Sequence, residues 1–132
     1  CLTNIIFIPR MPMSEVGGVL QLAKLLLVHL KKDILFEITV PSKTQAYMAI
    51  GKPVLMAVSG DAADIIHNAK CGRTAISEDV ESIKKAILEI YELPSHERKQ
   101  LGLNACNFYQ QQLSLKSGVE QFVGVFKQVK HD

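Results

Sequence analysis

An α/β fold, in which helices cover both faces of a parallel sheet, is predicted by three observations. Short apolar runs rich in β-branched residues alternate with amphipathic stretches along the whole chain. Each connection between two such runs reads as a helix, the crossover that neighbouring parallel strands require. The runs themselves are apolar at consecutive positions rather than at every second one, as in strands covered on both sides. Together these make the architecture Rossmann-like, and in such sheets ligands sit at the carboxyl ends of the strands.

The elements follow in order. Asn4-Ile-Ile-Phe-Ile8, closed by Pro9, reads as a first buried strand. Ser14 is a candidate cap for a helix to about Lys24, with Val16 and Leu20 on one side and Gly17-Gly18 weakening it. Leu25 to His29 is a second strand, followed by the polar loop Leu30 to Asp33. Phe36 to Val40 is extended or irregular. Ser42 is the candidate cap of a helix that stops at Gly51, ahead of a strand from Val54 to Val58. Ser59-Gly60-Asp61 opens a helix from Ala62 to Ala69, closed at Gly72, and Thr74-Ala75-Ile76 is a fourth strand. Ser77-Glu78-Asp79 starts a helix whose Val80, Ile83, Ile87 and Ile90 share a face. Further helices begin at Pro94-Ser95, running to about Tyr109, and at Ser114, with Val119, Phe122, Phe126 and Val129 on one side.

Composition limits the function. The chain of 132 residues is 48% hydrophobic and 21% charged, enough for one core and too short for two ordinary domains. Residues 1–132 are therefore expected to form a single domain, with residues 94–130 as its terminal helices. A net charge of +2, spread among interspersed acids and lysines, does not form the basic stripe of a nucleic-acid binder. No apolar run approaches the roughly 20 residues of a membrane span, and nothing resembles a signal peptide, so a cytoplasmic location is expected. Cys1, Cys71 and Cys106 are scattered, without metal-ligand spacing, and are expected to be packing residues; no metal and no resident cofactor is expected. The methionines read as core filler, and His67, His96 and His131 as surface residues.

The strongest local signal is Val40-Pro41-Ser42-Lys43-Thr44. A helix beginning here presents amides without intrahelical partners and the positive end of its dipole, beside a lysine and two hydroxyls. Those are the components of a phosphate cradle. His29 is equally well read as a packed histidine or as a ligand contact, and Lys31-Lys32 as a solvated turn or a phosphate clamp.

Val40-Pro-Ser-Lys43 followed by Ala46-Tyr-Met-Ala-Ile-Gly-Lys-Pro-Val-Leu55 resembles the PSK and EYMAxGKP signature of GT-B retaining glycosyltransferases of family 4. Leu26-Leu-Val-His-Leu30 and Ser42-Lys-Thr-Gln-Ala-Tyr-Met-Ala49 are similar to a subgroup that includes O-antigen L-fucosamine and colanic-acid transferases. The resemblance implies the nucleotide-sugar-binding half of such an enzyme, with Ser42, Lys43 and Thr44 on the donor diphosphate. It further implies that Arg10 and Met11 face the nucleobase and that His29, Lys31 and Gln45 border the donor pocket. Where the family has a ribose-binding glutamate this chain has Ala46, and Glu37 is the candidate for the other carboxylate of the family's pair.

The same resemblance implies a nucleotide-sugar substrate, a UDP- or GDP-sugar, and a lipid-linked oligosaccharide acceptor held by a separate N-terminal half. It places two further strands and the catalytic arginine and lysine ahead of Cys1. The fragment is then expected to be inactive alone, and to be dimeric or to have its first strand moved into the resulting gap. Peripheral attachment to the inner membrane face also fits a lipid-linked acceptor. The alternative is a non-catalytic flavodoxin-like binding or regulatory module. Against a phospho-acceptor receiver, the first two strands are followed by Arg10 and Lys31-Lys32 instead of clustered aspartates.

Overall fold

A computed structural model describes residues 3–129. One parallel sheet runs in the order β1 (Leu26–His29), β2 (Val54–Ala57), β3 (Gly72–Thr74). Leu26 pairs with Val54 and Val54 with Gly72, so the strands start level. The backbones are closest at this last pair: a Cβ on Gly72 would lie 1.7 Å from the Val54 carbonyl oxygen. Only glycine fits there.

Seven helices surround the sheet among the described residues: α1 (Met13–Leu22), α2 (Ile34–Glu37), α3 (Ser42–Ile50), α4 (Asp61–Ala69), α5 (Val80–Glu92), α6 (Ser95–Phe108) and α7 (Leu115–Val129). A π-helical turn, Tyr109–Leu113, joins the last two. On one side of the sheet Val28, Val54 and Met56 pack with Met48 of α3, with Ala62, Ile66 and Ala69 of α4, and with Ala105 of α6. By strand alternation Leu55 faces the opposite side, where α5 contributes buried Ala86 and Ile90. The α/β, Rossmann-like class is as expected, with helices on both faces.

The strands differ in how well they are covered. Every residue of β2 is buried, whereas β1 alternates, with Leu26 and Val28 inside and Leu27 and His29 exposed. β1 is an edge strand covered on one face.

The first expected strand does not form. Residues 5–10 are irregular and exposed, Phe7 to 92%. A strand exists by virtue of its ladder, and no neighbour among the described residues offers this segment one. It has also not moved over to pair with β1. The fourth expected strand is displaced: Gly72–Thr74 pairs with β2 where Thr74 to Ile76 was expected. Phe36 falls within the short helix α2, which Asp33 caps by accepting from the Leu35 N–H at 2.9 Å.

Helix starts are corrected in one consistent direction. Ser14 and Ser42 lie inside their helices, and the cap positions belong to Pro12 and Pro41. Proline holds the extended conformation that precedes a helix, φ −58° at Pro12 and −60° at Pro41, so the turn is set without a side-chain cap. Ser114 does cap, accepting from the Ser117 N–H at 3.2 Å.

Two expected apolar faces are only partly used. On α5 Ile90 is buried and Ile83 half-buried, but Val80 and Ile87 are exposed. On α7 Val119, Phe122 and Phe126 all face solvent. Met48 and Met56 are core residues as expected, while Met13 is exposed and Met11 half-buried. His67 and His96 are exposed, and His131 lies outside the described residues. No helix among the described residues is long and apolar enough to cross a membrane.

Candidate functional site

The site is fixed by chain direction. α3 ends at Gly51, where φ of 75° stops the helix, and Lys52-Pro53 lead directly into the amino end of β2. α3 therefore runs back along the sheet, and its first residues lie at the strands' carboxyl ends. α4 starts there too, directly after β2. Two helix N-termini, each without a side-chain cap, thus share one end of the sheet.

Ser42 and Lys43 are exposed at the start of α3, with backbone amides that have no acceptor within their own helix. Thr44 differs from its neighbours. Its side chain is fully buried, its Oγ1 has no hydrogen-bond partner among the described residues, and its N–H donates to the Pro41 carbonyl at 2.9 Å. Of the three expected residues, Ser42 and Lys43 lie at the surface and Thr44 is turned into the core, on the same side of α3 as buried Met48 one turn on. Gln45 and Ala46 are both exposed.

The loop after β1 lies at the same end of the sheet, around a hollow whose lining does not include Ser42, Lys43, Thr44, Gln45 or His29. Lys31, Lys32, Asp33, Glu37, Ser59 and Ser77 line a small hollow of about 70 Å³ at the strands' carboxyl ends. Glu37 is half-buried, and its carbonyl sits against Gly60, where a Cβ would lie 1.9 Å from that oxygen. Gly60 has φ of 82°, so glycine is required there twice over. This contact fastens the end of α2 to the start of α4. Arg10 and Met11 lie outside the hollow, in the irregular stretch before α1.

His29 is exposed at the end of β1, and its Nε2 accepts from the Glu78 N–H at 3.2 Å. Glu78 Oε2 in turn accepts from the Lys32 N–H at 2.8 Å, and Ser77 Oγ donates to the Leu30 carbonyl. Glu78 is therefore part of this end of the molecule, although its sequence context, Ser77-Glu78-Asp79, signals only a helix start. Nothing local marks a carboxylate that reaches back 46 residues to a loop.

Two other features are chemically quiet. Burial pushes the Cys71 thiol up to about 11, which keeps it protonated and unreactive. No group of three or more potential ligand side chains suited to a metal ion occurs among the described residues. A larger hollow, about 510 Å³, lies at the amino ends of the strands, lined by residues that include Lys24, Gly51, Lys52 and Arg98. Lys24 and Lys52 there follow the carboxyl ends of α1 and α3, where cations complement the helix dipole. Topology, not volume, selects the carboxyl-end site.

The free amides at the start of α3, with Lys43 beside them and no acid in that first turn, suit an anion carrying phosphate groups, whereas α4 opens on Asp61 and Asp64, and Lys31 and Lys32 share their hollow with Asp33 and Glu37. No curated protein and no solved structure matches the chain. The family model of the group 1 glycosyl transferases matches residues 2–108, from before α1 to the end of α6. A family match over that much of a chain with this parallel sheet shows that the protein belongs to the group 1 glycosyl transferases, of GT-B type.

Proposed function

We propose that this chain is the nucleotide-sugar-binding part of a family 4 glycosyltransferase, with the start of α3 and the loop after β1 holding the donor's diphosphate. The observation that carries this is the exposed Ser42-Lys43 helix start at the carboxyl end of a parallel sheet. Such a start supplies amide donors and a favourable field for a dianion without needing a metal. In the full enzyme the same preorganised donors would stabilise charge on the departing diphosphate as the sugar passes to an acceptor hydroxyl. The subgroup resemblance favours a deoxy-sugar, L-fucosamine or fucose, and a lipid-linked oligosaccharide at the inner membrane face as acceptor.

The test is a titration with UDP, GDP and dTDP, followed by amide chemical shifts. One to a few amide and dipole contacts support a Kd of roughly 0.1–1 mM. Ser42→Pro removes one amide donor at the first helical position, where proline is well tolerated, and should weaken binding without loss of helix. Lys43→Ala should weaken it as well. If neither variant changes the response to any nucleotide, the start of α3 is not the diphosphate site.

A further inference from the structure

We infer that Glu78 is a positioning residue for the donor site, holding the Lys31–Lys32 loop against the end of the sheet; this rests on the proposed donor-binding function. Glu78 adopts φ of 61°, in the left-handed region where residues other than glycine, asparagine and aspartate are uncommon. Lys70 shares that conformation only as the terminating residue of α4, a position that commonly takes it. Glu78 is not a helix end but the third residue of the turn over residues 76–79, closed by the Asp79 N–H donating to the Ile76 carbonyl at 3.3 Å, a place where positive φ favours glycine or asparagine over glutamate. It sits next to the Asp79 that caps α5.

The left-handed turn aims both ends of this residue at the β1 loop. Its N–H donates to His29 Nε2 at 3.2 Å and its carboxylate accepts from the Lys32 N–H at 2.8 Å. Ser77 Oγ, one residue earlier, donates to the Leu30 carbonyl. Three points, His29 at the end of β1 and Leu30 and Lys32 in the loop after it, are thereby tied to the turn after β3. Asp33 secures the loop's far end through the Leu35 N–H. Between these anchors stands Lys31, which lines the hollow together with Lys32 and Ser77.

A residue selected only for the turn would be glycine or asparagine, which accept this φ without penalty. Glutamate accepts the backbone cost and adds a carboxylate long enough to reach Lys32. The bond also fixes His29, whose Nε2 serves as an acceptor and whose remaining proton must then sit on Nδ1. His29 accordingly belongs to the tether and does not offer Nε2 to a donor.

Three variants separate tether from turn: Glu78→Gly and Glu78→Asn keep the backbone conformation and lose the reach, and Glu78→Gln keeps an acceptor at nearly the same place. Melting temperatures of the glycine and asparagine variants should equal or exceed that of the parent chain, because relief of the backbone offsets the lost bond. Hydrogen exchange at the Lys32 amide should nonetheless quicken by about tenfold or more in both, and stay near the parent rate in Glu78→Gln. Affinity for UDP or GDP should fall about 3- to 10-fold in the first two variants and less than about 2-fold in Glu78→Gln. A residue serving the turn alone would not give unchanged stability together with weaker binding.

The inference is overturned if the parent chain binds a nucleotide and the glycine and asparagine variants bind it equally well, or if Lys32 exchange is the same in all four proteins. If the parent binds none of the nucleotides, the donor-site proposal itself fails. Lys32 exchange then still reports whether the tether exists.

Discussion

β2 and α7 are both apolar, yet they meet opposite fates. All four residues of β2 are buried between α3 and α4 on one side and α5 on the other. α7 carries a continuous apolar face, and its Phe122 and Phe126 are 70% and 69% exposed. Residues 5–8, also apolar, share the exposure of α7. A hydrophobic pattern therefore specifies the kind of element that forms, and burial depends in addition on a second surface being present to receive it. The largest expected difference between the two regions is energetic.

Leu55→Ala should cost about 2–5 kcal/mol, because the site is completely buried and closed by sheet neighbours that cannot collapse into the void. Gly72→Ala should be at least as severe, since its Cβ would meet the Val54 carbonyl backbone and not a side chain that can swing aside. Urea unfolding read by circular dichroism measures both. A loss below about 1 kcal/mol for either would put the molecule's rigid centre somewhere other than β2.

The next effect belongs to the same centre and depends on pH. Burial raises the Cys71 thiol from 9.0 to about 11, so between these values the unfolded chain releases a proton that the native chain retains. Fewer protons bound in the unfolded state means that stability falls as pH rises. The contribution is complete below pH 9 and is lost by about pH 11, to a total on the order of 3 kcal/mol. Tyrosines and lysines titrate in the same range, so the measurement is the difference between the parent and Cys71→Ala across pH 8 to about 11. Equal slopes for the two proteins would place the thiol in contact with water.

What could be foreseen follows the same division. Strand and helix alternation was legible because β2 is an unbroken apolar run between Gly51 and Gly60, α4 is an amphipathic stretch between Gly60 and Gly72, and α5 is one between Asp79 and Pro94; their bounds came out within a few residues. Residues 4–8 misled because β-branched composition reports suitability for a ladder, while the ladder itself depends on a neighbour that the local sequence does not encode. The start of α3 at Ser42-Lys43 was legible from Pro41 and the glycine stop nine residues on. Thr44 was not, since one hydroxyl residue among three gives no sign of turning inward until the helix phase is known. Glu78 was invisible for a different reason. Its partners lie in a loop far back in the chain, and only the assembled sheet brings β1 and β3 to the same end.

Thr44 offers a smaller effect at the border between core and site. A fully buried hydroxyl without a partner costs about 1–3 kcal/mol relative to a satisfied one. Thr44→Val keeps the shape and removes the polar atom, and should stabilise the protein by about 1 kcal/mol in a urea titration. Nucleotide affinity should stay within about 2-fold, because the hydroxyl faces the core and the amide is already engaged with Pro41. Destabilisation together with weaker binding would show that the hydroxyl reaches a bound nucleotide and does not face the core alone.

The smallest expected effect is also the sharpest check on the contrast between β2 and α7. Phe122→Ser and Phe126→Ser remove large apolar groups, the same chemical change that would be ruinous in β2. On α7 these side chains are mostly solvated already, so the transfer free energy lost is small and no cavity opens. Each substitution should change the unfolding free energy by no more than about 0.5 kcal/mol, and the pair should add. Binding of an apolar fluorescent dye should fall in the double variant, because the patch it occupies on α7 is interrupted. A cost above about 1.5 kcal/mol for either single substitution would mean that this face is covered in solution, and α7 would then belong with β2 rather than opposite it.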